Sequence, residues 1–436
     1  MLGAGREEAC QNIRGFAVKI LVVYQYYQGS AAPGHSLVYE LTQFLAERGH
    51  DVTVVSGETG YMQPDRPTLH WYKRIIRRER DGKVDVVRTY TYPELHRSYL
   101  GRLLGMISFA LSCPLGLLSV AKPDVVLASS PPLFPMFAAW LISKIRRIPF
   151  VFEVRDLWPA SAVQMGILKN RQLVGIMTWM EHILYDQSKK IVALTEGIRD
   201  DIRSRGWSGD KIELVTCGVD FDKLYPDPQG AKFIRDKLGW QKKKIVLYFG
   251  ALGEANNISV TLRAAQRLQV RKDIIFVLIG EGLKRGETER QVKELSLENV
   301  LLLPPVPKDE ARPYINAADV CLVTLRDIPL FNGAIPTKLI DYMACGKAVL
   351  CGIRGEAAKI VKGSGAGVAF EPDNDEHLGK LVVELLGDAA LTDRMGAQGL
   401  SYVQSRFSAI KMRHQMESLL LTVANDTGQA STPEGR

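Results

Sequence analysis

Short runs of β-branched and aliphatic residues alternate with helical stretches along the whole chain. Lys19-Ile-Leu-Val-Val23 reads as a strand, residues 36–48 as a helix stopped by Gly49, and Asp51-Val-Thr-Val-Val55 as the next strand. Later strands are expected at 124–128, 150–154, 190–194 and 211–215. Such runs are apolar on both faces, as in a parallel sheet covered by helices on either side. The pattern restarts after Gly218-Val-Asp220, with strands expected at 244–248, 274–279, 300–303, 319–323 and 348–350. Pro226, Pro228 and Gly230 mark a linker between the halves. The expected class is α/β, in two doubly wound domains whose ligands belong in the cleft outside the carboxyl ends of the strands.

A length of 436 residues exceeds one ordinary core and agrees with two domains. With 46% hydrophobic and 24% charged residues, the composition is that of a soluble globular protein. Six cysteines stand at 10, 113, 217, 321, 345 and 351 without a CxxC pair, and seven histidines are equally dispersed. They fit reduced core thiols, and a protein zinc site is not expected. The first sixteen residues carry Glu7 and Glu8 and no apolar run, so a short extension is expected rather than a secretory signal. Residues 425–436 are polar and are expected to form a disordered tail.

The net charge of +8 suggests an acidic partner: nucleic acid, anionic lipid or a polyphosphate substrate. Residues 73–88 hold Lys73, Arg74, Arg77, Arg78, Arg80, Lys83 and Arg88 against Glu79, Asp81 and Asp85. Residues 99–120 follow as an apolar run, interrupted by Arg102, Pro114 and several glycines and serines. That run is marginal for crossing a bilayer, which takes about 20 clean apolar residues. Two readings stay open. Residues 73–120 make a peripheral membrane contact, or a buried helix lies beside a solvated basic loop. No base-stacking aromatics interleave with the basic residues, so nucleic acid is not an expected partner.

The densest chemistry lies in residues 331–352. A small-residue turn, Asn332-Gly-Ala-Ile-Pro336, opens a helix carrying Thr337, Lys338, Leu339 and Asp341, and Gly346 ends it. A helix N-terminus offers free N–H groups and a partial positive charge, so it suits a phosphate. Lys338 adds a full charge, and Asp341, one turn further in, can accept hydrogen bonds from sugar hydroxyls. A helix-surface Asp341 paired with Lys338 is the plainer alternative. Gly250-Ala-Leu-Gly253 joins a strand to a helix beginning near Ile258, and its glycines let backbone approach a diphosphate. Gly280-Glu281-Gly282 repeats the arrangement before Lys284 and Arg285 and can face a base or ribose. Both are equally compatible with ordinary strand-to-helix turns.

Glu153-Val-Arg-Asp156 leaves a strand end and enters a loop closed by Trp158 and Pro159. Glu153 and Arg155 share one face of that strand. Charge there is costly unless it serves a site or a structural salt bridge between domains. The loop after the first strand holds Tyr27, Gly34 and His35, where Gly34 admits an acceptor or diphosphate and His35 donates a hydrogen bond or simply opens the helix.

In this order and at this spacing, these segments resemble the family-4 glycosyltransferases, retaining enzymes of the GT-B fold. Gly218-Val-Asp-Phe-Asp-Lys-Leu-Tyr-Pro226 is similar to the family's inter-domain hinge, with Cys217 in the usual Asn place. The branch it most resembles builds bacterial surface polysaccharides, of the O-antigen and colanic-acid type, on lipid carriers. The resemblance implies two facing Rossmann-like domains: residues 1–217 for the acceptor and residues 218–404 for the nucleotide-sugar. A crossover helix at 405–424 would return to the first domain. It also implies a UDP-sugar donor and a lipid-linked saccharide or glycan acceptor. The location would be cytoplasmic, peripheral at the inner face of the membrane. Asp156, Arg155 and Lys338 would be the catalytic residues.

Gly250, Gly253, Gly280, Glu281, Arg285, Pro336, Thr337, Lys338, Leu339 and Asp341 would bind the donor. Tyr27, Gly34 and His35 would meet the acceptor or diphosphate. No DxD motif occurs, so neither metal nor cofactor is expected. Three departures stand out. The 250–257 loop lacks the family's Arg and Lys, Gly333 replaces the first Glu of the E-x7-E motif, and Arg155 replaces a His. Lys338, helped by Arg285 or Lys284, is the expected source of positive charge. A GT-B-like nucleotide-sugar epimerase, or a non-catalytic nucleotide-binding partner in a polysaccharide assembly complex, are the alternatives.

Overall fold

The computed structural model describes residues 17–29, 37–58, 75–93 and 99–428. Among these the chain forms two sheets. The first has the order β3-β4-β2-β1-β5-β6-β7-β8. Its strands are β1 (Lys19–Val23), β2 (Asp51–Gly57), β3 (Ile76–Asp81), β4 (Val84–Thr89), β5 (Val125–Ser130), β6 (Phe150–Val154), β7 (Lys190–Ala193) and β8 (Ile212–Leu214). All neighbours are parallel except β3, which pairs antiparallel with β4.

The second sheet is wholly parallel, in the order β11-β10-β9-β12-β13-β14. It contains β9 (Lys244–Phe249), β10 (Ile274–Ile279), β11 (Val300–Leu303), β12 (Val320–Thr324), β13 (Ala348–Gly352) and β14 (Gly367–Ala369). Central strands such as β5 and β10 are buried along their full length, as strands sandwiched between helix layers must be. The strand order reverses between β1 and β5 in one sheet and between β9 and β12 in the other, and such switch points open a crevice for ligand.

From residue 76 onward the basic stretch is not a solvated loop. Residues 76–89 form the β3–β4 hairpin, and Arg88 lies 2% exposed. Its guanidinium donates to Glu79 at 2.8 Å and to the carbonyls of Tyr27 at 2.6 Å and Gly57 at 3.1 Å. One buried charge thus ties β4 to the loops leaving β1 and β2. The proposed linker is also shorter than expected. Asp227 caps a helix, Pro228–Leu238, so Pro228 and Gly230 sit in its first turn, where proline's missing N–H does no harm.

The final helix is Ala409–Gly428, and residues 405 and 406 belong to the helix before it, Ala389–Arg406. Met412, Met416, Leu420 and Val423 bury it on the first sheet beside helix Leu37–Glu47. Arg413 pairs with Glu40 at 2.9 Å, and Glu417 with Arg48 at 2.9 Å. Residues 425–428 are therefore helical rather than part of a tail, because the packed turn carries the helix on to Gly428. Arg88→Met is expected to lower stability by about 1–3 kcal/mol, since it removes the charged donor from the buried carbonyls of Tyr27 and Gly57. Urea unfolding followed by circular dichroism reads this, and a midpoint equal to wild type would contradict it.

Candidate functional site

The N-terminus of helix Thr337–Ala344 opens into a cleft of about 770 Å³ between the two sheets. Pro336 and Thr337 line it from one side, and Arg155 and Asp156, just past β6, line it from the other. The chain brings these four together although some 180 residues separate them, because both segments leave the carboxyl ends of their strands.

Lys338 turns away from the cleft surface and under the loop that leaves β9. Its Nζ donates to the Tyr248 hydroxyl at 2.6 Å, reaches Asn256 Oδ1 at 3.4 Å and lies 3.8 Å from the centre of the Tyr248 ring. No carboxylate is among these partners. Burial alone therefore pulls its pKa down from the usual lysine value to about 7. A side chain at position 250 would meet Lys338 Nζ at 2.9 Å, so the ammonium lies directly beneath the Gly250 backbone.

The two glycine turns are laced to each other. Gly250 N–H donates to Ile279 O at 2.9 Å, Leu252 N–H to Glu281 O at 2.9 Å, and Lys284 N–H to Leu252 O at 2.9 Å. Gly280 has φ of 154°, and a Cβ there would lie 1.9 Å from Gly250 O. Its glycine is thus demanded by the neighbouring loop. Arg285 binds the carbonyls of Gly280 at 2.6 Å and Leu303 at 3.0 Å and pairs with Glu289 at 2.9 Å. Lys284 pairs with Glu254 at 3.1 Å and Glu287 at 2.7 Å. Both expected helpers are committed to holding the turn, which leaves Lys338 to supply charge.

Asp341 does not pair with Lys338. Burial raises its pKa, and the nearby charge of Lys308 opposes the rise. The thiol of Cys217, pushed up to about 11 mainly by burial, feels Asp341 on one side and Arg155 on the other. Arg155 is held by Glu153 at 3.2 Å and stands 5.7 Å from the Tyr24 ring. That ion pair joins the end of β6 to the residue just past it and does not bridge the domains. The Asp156 carboxyl is also raised, chiefly by burial, with Ser161 opposing.

Two expected contacts fall elsewhere. Tyr27 is fully buried against Tyr39 with its hydroxyl on Thr42 at 3.2 Å, and burial drives its pKa to about 12, so the ring is core. Leu339 is likewise buried in the second domain, because the helix turns its apolar face to the sheet. Gly34 and His35 lie outside the described residues. Gly253 and Glu281 remain on the laced loops, where Glu281 Oε1 accepts from Gly282 N–H at 3.1 Å.

Sequence reasoning missed a clasp across the cleft. Thr195 Oγ1 donates to Gly333 O at 2.7 Å. The Glu356 carboxylate accepts from the backbone N–H groups of Glu196 at 3.3 Å and Gly197 at 3.0 Å, at the start of helix Glu196–Ser204. Glu356 thus caps a helix of the other domain. A Cβ on Gly197 would lie 2.3 Å from Gly333 Cα, so neither position has room for a side chain. Paired glycines far apart in sequence were the available signal, and nothing local connects them. Gly197→Ala is expected to push the domains apart. An increased radius of gyration in small-angle scattering would register this, and a curve superimposable on wild type would refute it.

Comparison with known proteins fits this geometry. The family model for glycosyl transferases group 1 matches residues 231–401, and that for the glycosyl transferase 4-like domain matches residues 35–218. Similar relatives include the putative colanic acid biosynthesis glycosyl transferase WcaI of Escherichia coli K12. It is 22% identical over 339 residues, 76% of this chain and 82% of that one. The probable glycosyltransferase WbjE of Pseudomonas aeruginosa is 23% identical over 68% of this chain and 75% of its own.

Among solved structures, sucrose-phosphate synthase from Thermosynechococcus elongatus has a TM-score of 0.70 at 18% identity, covering 93% of this chain and 99% of that one. Anabaena HepE, solved with UDP-glucose, has a TM-score of 0.68 at 16% identity, covering 93% of this chain and 100% of its own. These share the fold of two facing α/β domains. The two family models together span nearly the whole of both domains in the expected order, and the chain is a glycosyltransferase of the GT-B fold that belongs to family 4.

Proposed function

We propose that this glycosyltransferase moves a sugar from a UDP-sugar to a hydroxyl of a lipid-linked saccharide, with retention of configuration, during assembly of a bacterial surface polysaccharide. The observation that carries the reading is Lys338, a half-buried side chain whose ammonium has no carboxylate partner, set beneath the Gly250 turn and beside a helix N-terminus. Ammonium and helix dipole present positive charge to one spot, where a diphosphate would satisfy both.

In this reading the nucleoside diphosphate lies along the start of helix Thr337–Ala344, and Asp341 accepts from the ribose hydroxyls. Asp156 faces the transferred sugar from across the cleft and orients the acceptor hydroxyl, with Arg155 at its side. The bond between the anomeric carbon and the β-phosphate oxygen breaks as the acceptor oxygen attacks on the same face. The acceptor proton passes to the departing phosphate, whose growing charge Lys338 stabilises. Neutralisation by Lys338 and the helix dipole needs no metal. HepE, solved with UDP-glucose, supports the uridine donor. A Campylobacter jejuni relative, 26% identical over 51% of this chain and 58% of its own, supports the acceptor class. Its name describes an N-acetylgalactosaminyltransferase acting on a diphospho-undecaprenol saccharide. Use of such an acceptor puts the enzyme at the cytoplasmic face of the membrane.

The Lys338 pKa of about 7 lies below its usual value of 10.5. Burial of the ammonium therefore destabilises the folded chain most below pH 7, and that effect fades as pH rises toward 10.5. At pH 8 the free amine is mostly neutral, and a bound diphosphate recharges it. Calorimetric titration of UDP at pH 8, in buffers of different ionisation enthalpy, is expected to reveal uptake of close to one proton. Affinity should fall as pH rises above 7. Lys338→Met should abolish the uptake and weaken binding by about tenfold or more, a charge-assisted contact being worth about 1.5–3 kcal/mol. GDP run in parallel tests the base preference. Unchanged affinity and proton uptake in Lys338→Met would defeat the assignment.

A further inference from the structure

The apolar run at 99–120 becomes helix Tyr99–Leu118, which is long and apolar enough to cross a bilayer by composition. Its packing forbids that. Phe109, Cys113 and Leu117 are buried in the first domain, and Ser112 Oγ donates to Thr89 Oγ1 at 3.0 Å. One face of the helix is fixed to the core, while the other is apolar and bare. Leu100, Leu104, Ile107, Leu111, Leu115 and Leu118 follow one another at three- and four-residue steps, and all are exposed, Leu111 to 75%.

The bare surface continues onto two neighbours. Helix Leu133–Ile145 packs beside Tyr99–Leu118 and exposes Leu141 and Ile145, the latter to 67%. Helix Arg171–Gln187 packs beside that and exposes Ile176 and Trp179, with Trp179 5.5 Å from Phe137. Isolated exposed leucines need no explanation, but a face shared by three helices does.

Charge on this face selects the partner. Residues 99–147 contain Arg102, Lys122, Lys144, Arg146 and Arg147 against one acid, Asp124. Arg146 donates to the carbonyls of Leu117 at 2.7 Å and Val120 at 3.2 Å, and Arg78 donates to Ser119, so positive charge collars the helix end beside Leu115 and Leu118. Exposed Lys122, Lys144 and Arg147 stand around it. The surface also leads to the cleft. Val163 and Ile167 are exposed on either side of Gln164, which lines the cleft and accepts from Leu330 N–H at 3.0 Å.

We propose that this three-helix face docks flat on an anionic lipid bilayer, with the leucines among the acyl chains and the basic collar at the phosphates. This deepens the acceptor reading by bringing the cleft mouth to the surface where a lipid-linked saccharide resides, and it rests on that reading for its purpose alone. Vesicle binding needs neither donor nor acceptor, so the two ideas fail separately.

The full chain is floated with vesicles of phosphatidylglycerol and phosphatidylcholine, and with phosphatidylcholine alone. It is expected to rise with the anionic vesicles, and less so in high salt. The double substitution Leu104→Glu with Leu111→Glu should reduce the bound fraction by about tenfold or more, while the melting temperature stays near wild type. A second reading does not depend on those variants. Brominated lipid should quench fluorescence of the wild type more than that of Trp179→Phe. Three outcomes would overturn the proposal: failure of the wild type to bind anionic vesicles, wild-type binding by the double variant with equal quenching in Trp179→Phe, or a solution dimer that the same leucine substitutions dissociate.

Discussion

An ammonium held inside a protein without a carboxylate is unstable unless something else repays its lost hydration. Lys338 is such a group, steadied by the oxygens of Tyr248 and Asn256 and by the face of an aromatic ring. Gly250 lets the loop approach the charge as bare backbone, since a Cβ there would lie 2.9 Å from the ammonium. The helix that carries it begins at the same spot, so two sources of unmet positive charge converge there. Much of the second domain serves to keep that spot rigid. Gly280 admits one loop against the other, Arg285 straps the Gly280 turn to β11, and Lys284 is balanced by two glutamates.

Gly333 stands where the resemblance leads one to expect the first motif glutamate, and the structure supplies a physical reason for a glycine. Position 333 lies backbone-to-backbone against Gly197 of the other domain, with no space for any side chain. A different carboxylate, that of Glu356, reaches across and caps the helix beginning at Glu196. The cleft is therefore framed by contacts on two sides. Thr195, Gly197 and Glu356 close one side, and the hinge segment with the final helix closes the other, where Val219 N–H donates to Phe407 O at 2.8 Å and Val219 O accepts from Ala409 N–H at 2.9 Å.

The excess positive charge serves different ends in different places. Arg88, in the most basic stretch of sequence, is internal wiring that fixes the loops above β1 and β2. Arg413 fixes the final helix to Glu40 and approaches Asp220 at 3.5 Å. Counting bases along the chain cannot separate these from Lys122, Lys144 and Arg147, which face outward. Burial separates them, and burial is a property of packing.

Eleven of the fourteen strands, the doubly wound pattern and the helix carrying Lys338 were legible in the sequence, because each follows from local periodicity and from glycines at strand ends, whereas β3, β4 and β14 were not. Residues 425–428 were misread because a polar composition says nothing about a helix already anchored by Leu420 and Val423. Tyr27 and Leu339 were misassigned because spacing locates a residue on an element but does not say which way a neighbouring layer will cover it. Pairing of Lys338 with Tyr248 rather than Asp341, the clasp at Gly197 and Gly333, and the apolar face shared by three helices were decided by the tertiary structure alone. Each depends on groups brought together from distant parts of the chain. Local order is written in runs of a few residues, whereas desolvation and close contact arise only when separate layers meet.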